Sequence, residues 1–127
     1  MKPRYYIAKH CIERYIERVR MGINTAEKSV IGEMLETLVA GKDITQKIYD
    51  DVPRYILFLY EKYKELGLTI IESKDIIFIT RKRPGTLNMY DVVTCYSAHR
   101  HLEQFKNTDM KREDIFIKIK QIKKTLK

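Results

Sequence analysis

Leu68-Thr69-Ile70-Ile71-Glu72, then Ser73-Lys74-Asp75, then Ile76-Ile77-Phe78-Ile79-Thr80 is the stretch on which the fold turns. Both apolar runs are rich in β-branched residues, and a short polar break separates them, as in a hairpin. N-terminal to it the apolar residues recur at helical spacing instead. C-terminal to it, Arg81-Lys82-Arg83-Pro84-Gly85 reads as a basic loop ending in a turn dipeptide. Tyr90-Asp91-Val92-Val93-Thr94-Cys95-Tyr96 then reads as a third strand.

The helical part divides at its punctuation. A first helix is predicted from residue 5 to about residue 21, ended near Gly22. A second runs from about Ala26 to Ala40, capped by Asn24 or Thr25, with Val30, Ile31, Met34, Leu35 and Leu38 on its buried stripe. Gly41 closes it, and Lys42 to Asp51 is a polar connection. Pro53 opens a third helix to about Leu66, with Ile56, Leu57, Leu59, Tyr60 and Tyr63 alternating with charged residues. After the sheet, Ala98 to Lys106 is a short helix or an irregular segment. Beyond the cap signal Asn107-Thr108-Asp109, the tail places Ile115, Ile119, Ile122 and Leu126 at helical spacing, though Ile117-Lys118-Ile119-Lys120 also alternates like a strand. The expected architecture is α+β: N-terminal helices packed on a small antiparallel sheet of three to four strands, with a C-terminal basic helix.

The 127 residues fit one domain able to bury a core without disulfide or metal staples. The division expected is residues 1–106 as the α+β domain and 107–127 as the basic helix. A net charge of +8 points to an anionic partner, of which nucleic acid is one. The charge is uneven: residues 1–24 carry +4, 25–75 carry −3, 76–105 carry +2 and 106–127 carry +5. Convergence of the basic segments would make a phosphate-binding face. Cys11 and Cys95 are too few and too far apart for a zinc motif or a disulfide framework, and read as buried free thiols in a reducing compartment. No apolar signal core follows Met1-Lys2-Pro3-Arg4, and no apolar run approaches the roughly 18 residues of a membrane span. A cytoplasmic protein without membrane association is the expectation.

No glycine-rich phosphate loop, nucleophile elbow or dinucleotide fingerprint occurs. The adjacent His99-Arg100-His101 lacks the carboxylate or thiol company of a metal site, so neither metal nor cofactor is expected. The candidate chemistry lies in His10-Cys11-Ile12-Glu13-Arg14-Tyr15-Ile16-Glu17-Arg18. At about 100° per residue, Arg14 falls about 40° and Arg18 about 80° from His10, opposite Ile12, Ile16 and Val19. Such a helix buries one face and offers an imidazole and two guanidiniums on the other. Either that face is simply solvated, with Glu13 and Glu17 pairing the arginines, or it handles phosphate. Cleaving a phosphodiester requires an acid, a base and positive charge at the phosphorane. On the third strand, Tyr90, Val92, Thr94 and Tyr96 share one face by the period of two. Thr94 and Tyr96 can then meet a phosphate, or serve only β-propensity and packing. Arg81 and Arg83 leave the second strand on a common face, with Lys82 between them, as RNA contacts or as a solvated loop.

The block from His10 through Gly41 resembles a family of small domains with a His-Ala-x-x-Arg-x-x-x-Arg first helix, a Gly-Ile-Ser/Thr link and a second helix ending in Gly. Here it reads His10-Cys11-Ile12-Glu13-Arg14, Arg18, Gly22-Ile23-Asn24-Thr25 and Gly41. Val92-Val93-Thr94-Cys95-Tyr96 is similar to the family's final Val-x-Thr-x-Tyr strand. That family is similar in turn to RelE-like toxins and the phage endoribonuclease RegB, in the barnase/EndoU/colicin/RelE class. The resemblance implies a metal-independent endoribonuclease, toxin-like or phage-encoded, acting by 2′-hydroxyl attack. It implies His10 as catalytic histidine, Arg14 as phosphate ligand, and Thr94 and Tyr96 as sheet-side contributors. Arg18, Arg81, Lys82 and Arg83 are the candidate RNA contacts, and free or ribosome-bound mRNA is the substrate expected. The chain departs from the family by an insertion at about residues 43–66, carrying the third helix, and by the basic tail. The alternative is a module that binds RNA, the ribosome or a host factor without chemistry, and an antitoxin is a further candidate partner.

Overall fold

The computed structural model describes residues 3–20, 27–65, 67–106 and 111–125. The elements run β1 (Arg4–Ile7), α1 (Lys9–Arg18), α2 (Glu27–Val39), β2 (Lys42–Asp43), α3 (Thr45–Asp51), α4 (Pro53–Tyr63), β3 (Thr69–Ser73), β4 (Ile76–Lys82), β5 (Met89–Ser97), α5 (Ala98–Lys106) and α6 (Arg112–Thr125). The class is α+β, but the sheet differs from the three to four antiparallel strands expected. It has five strands in the order β1-β5-β4-β3-β2. It is mixed, because β1 lies parallel to β5 while the other pairs are antiparallel.

The two additional strands are short. Arg4–Ile7, read as the start of the first helix, instead pairs with Met89 to Val92. Ala8 is extended (φ −64°, ψ 145°) and its N–H donates to Val92 O at 3.3 Å, so the helix begins only at Lys9. Within the polar connection, Lys42 and Asp43 pair with Glu72 and Ile71. Asp43 Oδ1 then accepts from Thr45 N (2.9 Å) and Thr45 Oγ1 (2.6 Å), the turn from which α3 starts. Gly41 makes the passage from α2 to β2 possible: a Cβ there would sit 2.6 Å from Ile71 Cγ2.

Helices cover both faces of the sheet. On one face, Cys11, Ile12 and Tyr15 of α1 and Val30, Met34 and Leu38 of α2 pack on Ile71, Ile76, Phe78, Val92 and Cys95. On the other, Tyr55, Ile56 and Leu59 of α4 join Leu102 of α5 and Ile115 and Ile119 of α6 over Ile70, Ile77 and Ile79. Within the 43–66 segment, α3 and α4 therefore lie on the sheet, opposite α1 and α2. The tail is a helix docked by Ile115 and Ile119 while Ile117 stays exposed, which removes the strand reading. No described helix is long and apolar enough to cross a membrane. The Gly22–Thr25 link and the Asn107–Asp109 cap signal lie outside the described residues.

One irregularity decides which strand residues meet. Ile79 pairs with Thr94, yet the next residue, Thr80, pairs with Val92. Val93 is thus an extra residue, and a β-bulge reverses the facing of everything beyond it. Tyr90, Val92, Thr94 and Tyr96 do not share a face, contrary to the simple alternation. Val92 joins the α1–α2 side, and Thr94 and Tyr96 turn to the side covered by α4 and α5.

Candidate functional site

The β3–β4 turn is made by Lys74 (φ 51°) and Asp75 (φ 61°), both left-handed, which costs a non-glycine residue energy. The turn orients Asp75 onto the start of α5. Asp75 O accepts from Ala98 N at 2.8 Å, and Asp75 Oδ1 accepts from His99 N at 3.2 Å. The first turn of α5 is thereby satisfied and set against the end of β5.

On the other side stands α1. Its outer stripe forms as the spacing predicts: Arg14 Nε lies 3.4 Å from His10 Nε2, and Arg14 Nη1 pairs with Glu17 Oε2 at 2.9 Å. His10 is exposed. Arg18 continues the stripe and turns inward. Pairing with β1 ends at Val92, so the outer edge of β5 is open further along. Arg18 Nη1 donates to Cys95 O at 3.0 Å, and its guanidinium lies over the Tyr96 ring, 4.5 Å from the centroid. Cys11 and Cys95, both buried free thiols, lie at the α1–β5 contact, with Cys95 Sγ 3.9 Å from Cys11 O.

Tyr96 is the hub. Its ring stacks on His101 at 3.7 Å and 3°, and its hydroxyl accepts from Lys62 Nζ at 2.9 Å. His101 Nε2 is 2.8 Å from Tyr55 Oη, and Phe58 and Phe105 close around the imidazole. Burial pushes the His101 pKa down to about 4, helped by the nearby Arg18 and Lys62 cations. The ring is neutral at neutral pH and serves as an aromatic wall. Burial likewise raises the Tyr55 and Tyr63 phenols, with Tyr96 the next cause for each.

A pocket of about 540 Å³ opens between these elements, lined by Glu17, Arg18, Tyr96, Ser97, Arg100, His101 and Gln104. A second, of about 330 Å³, lies across Arg18, Ser97 and Arg100 and is lined also by Lys74 and Asp75. Among the described residues no carboxylate pairs with Arg18, Arg100 or Lys74. The other candidate arginines are paired. Arg81 holds Glu65 through both oxygens (2.9 and 2.6 Å), and Arg83 holds Asp91 (2.8 Å) under the Tyr6 ring (3.9 Å).

His10 and Arg14 are therefore in contact, while Arg18 and Tyr96 share the pocket, whose lining includes neither His10 nor Arg14. Thr94 does not join them. It is 2 % exposed, on the sheet face that α4 covers. Arg81 and Arg83 leave β4 at the end away from Ile76, the residue paired with Ser97; Arg81 stands five residue steps along the strand from it, about 16 Å. Lys82 is exposed beside them. The residues not singled out from sequence are Lys74, Ser97, Arg100, Gln104 and Lys62, with His101 considered only for metal. The signal for α5 was present: Ala98, His101, Leu102 and Phe105 share one helical face, which marks His101 as inward. Lys62 reaches Tyr96 across 34 residues of chain, and nothing local encodes that. No family model, curated protein or solved structure matches the chain.

Proposed function

We propose that this protein binds RNA along the outer stripe of α1, from His10 through Arg14 and Arg18 into the pocket beside Ser97 and Arg100. The observation that carries the reading is the set of three cations, Arg18, Arg100 and Lys74, lining two adjoining pockets without a described carboxylate partner. Arginines kept from internal pairing are poised for phosphate oxygens, and a +8 chain attracts a polyanion over distance. The resemblance of the His10–Gly41 block to RelE- and RegB-type proteins favours RNA among polyanions.

The test is binding to single-stranded RNA over a range of salt. Each lost phosphate contact lowers the log–log salt slope by roughly 0.7 for a single strand. Arg18→Ala and Arg100→Ala are expected to lower it by about that amount each, and Arg81→Ala and Arg83→Ala to change it little. A salt-independent interaction, or none, overturns the proposal.

A second reading makes the same groove an endoribonuclease, and the contact of Arg14 with His10 favours it. His10 would take the proton of the 2′-hydroxyl as that oxygen attacks phosphorus. Arg14 would stabilise the phosphorane, and the 5′-oxygen would depart as a hydroxyl, protonated by water, leaving a 2′,3′-cyclic phosphate. Incubation with mixed RNA in EDTA decides it: cleavage by wild type and its loss in His10→Ala support the enzyme, and intact RNA or an active His10→Ala overturns it. Thr94, buried on the covered face, has no part in this version.

A further inference from the structure

The two pockets are unequal in chemistry as well as size. The larger is lined by Glu17 and Gln104, which the smaller lacks, while both share Arg18, Ser97 and Arg100. At about 540 Å³ it falls within the range of small-ligand sites, roughly 300–1,000 Å³. A recess of that volume suits one nucleotide turned out of a single strand.

Resting on the RNA reading, we infer that this pocket takes one unpaired nucleotide and selects its base. The phosphate sits on the shared cationic wall, against Arg18, Arg100 and the Ser97 hydroxyl. The next phosphate along the strand lies in the smaller pocket near Lys74. Repulsion from Glu17 keeps phosphate away from that side chain, so the base goes beside Glu17 and Gln104. Glu17 Oε2 is engaged by Arg14, and the carboxylate retains acceptor capacity. Gln104 Nε2 makes only a long 3.5 Å contact to Arg100 O, leaving its carbonyl oxygen and second N–H for a base edge.

A carboxylate only accepts hydrogen bonds, so the base favoured is one presenting an amino group. Cytosine and uracil are the cleanest comparison. They have the same size and differ in an N4 amino donor against an O4 acceptor. Asp75, the other carboxylate at these pockets, accepts the His99 N–H through Oδ1 and lines only the smaller pocket.

The experiment measures fluorescence anisotropy of labelled ten-residue oligocytidylate, oligouridylate and an RNA duplex with the full chain in EDTA. Oligocytidylate is expected to bind at least about five-fold more tightly than oligouridylate, the size of one good base contact, and the duplex more weakly than oligocytidylate. Glu17→Gln, which can also donate, is expected to erase the cytidine-to-uridine ratio. The ratio is the readout because freeing Arg14 can change both affinities together. Arg100→Ala, at an exposed position, is expected to weaken both oligonucleotides. Equal affinity for the two, a duplex bound as tightly, or a ratio unchanged in Glu17→Gln overturns the pocket while leaving RNA binding intact. Absence of binding to every RNA overturns the reading on which the pocket rests.

Discussion

Arg18, the last residue of α1, lies over the ring of Tyr96 at 4.5 Å and donates to the carbonyl of Cys95 at 3.0 Å. One side chain thus joins the helix to the open edge of β5 and forms part of the pocket wall. Its charge stays available to a ligand because its neighbours are a carbonyl and an aromatic face. Arg18→Ala is expected to lower stability by about 1–3 kcal/mol, from a charged hydrogen bond and a cation–π contact. Arg18→Lys should recover only part of this, since an ammonium does not serve both contacts in the same geometry. Urea denaturation of the three proteins checks it, and an unchanged midpoint in Arg18→Ala would refute the bracing role.

The buried imidazole sets a pH dependence. His101 has its folded pKa lowered to about 4 by burial and nearby cations, against an ordinary 6.5. Between those values the unfolded chain binds more protons than the folded one, so stability rises with pH across that window. As pH falls from about 6.5 to about 4 this group should cost on the order of 2 kcal/mol, after allowance for its remaining exposure. His101→Phe keeps an aromatic ring against Tyr96 and should flatten that part of the stability curve. Thermal melts at closely spaced pH values compare the two slopes.

Thr94 separates the reading drawn from the strand motif from the one drawn from the fold. Because it is 2 % exposed beneath α4, Thr94→Val should leave RNA affinity within about two-fold of wild type, with any change confined to stability. A large loss of affinity without a loss of folded protein would show that the covered sheet face opens to the ligand.

The tail offers a contrast between neighbours. Ile115 is 1 % exposed and Ile117 is 55 % exposed. Ile115→Ala should cost about 2–4 kcal/mol by leaving a cavity under α4, whereas Ile117→Ala should stay within about 0.5 kcal/mol. Equal effects would contradict the helical register.

Of the pocket's lining, Arg18 and Tyr96 were legible in the chain as candidates. Spacing of four put His10, Arg14 and Arg18 on one helix stripe, and the contact of Arg14 with His10 is the physical result. The β3–β4 hairpin and β5 were legible from β-branched runs, because such residues suit the pleated, half-buried surface of a sheet. The two short strands were not legible. Arg4–Ile7 and Lys42–Asp43 are strands only because β5 and β3 stand ready to pair with them.

Local sequence therefore determined the hairpin and the longer helices, and which α1 residues share the outer stripe, because those properties follow from periodicity within one element. It revealed neither α3, within the stretch read as a polar connection, nor the strand that precedes α1. Tertiary structure decided what those residues meet. The bulge at Val93 sends Thr94 and Tyr96 to the face opposite Val92, and α3 and α4 of the 43–66 segment cover that face. The Asp75 turn brings Arg100 and His101 beside Tyr96. Pairing partners and register are set by long-range burial and hydrogen bonding. That is why Arg18, the least distinguished member of its stripe in the sequence, is the one that lines the pocket.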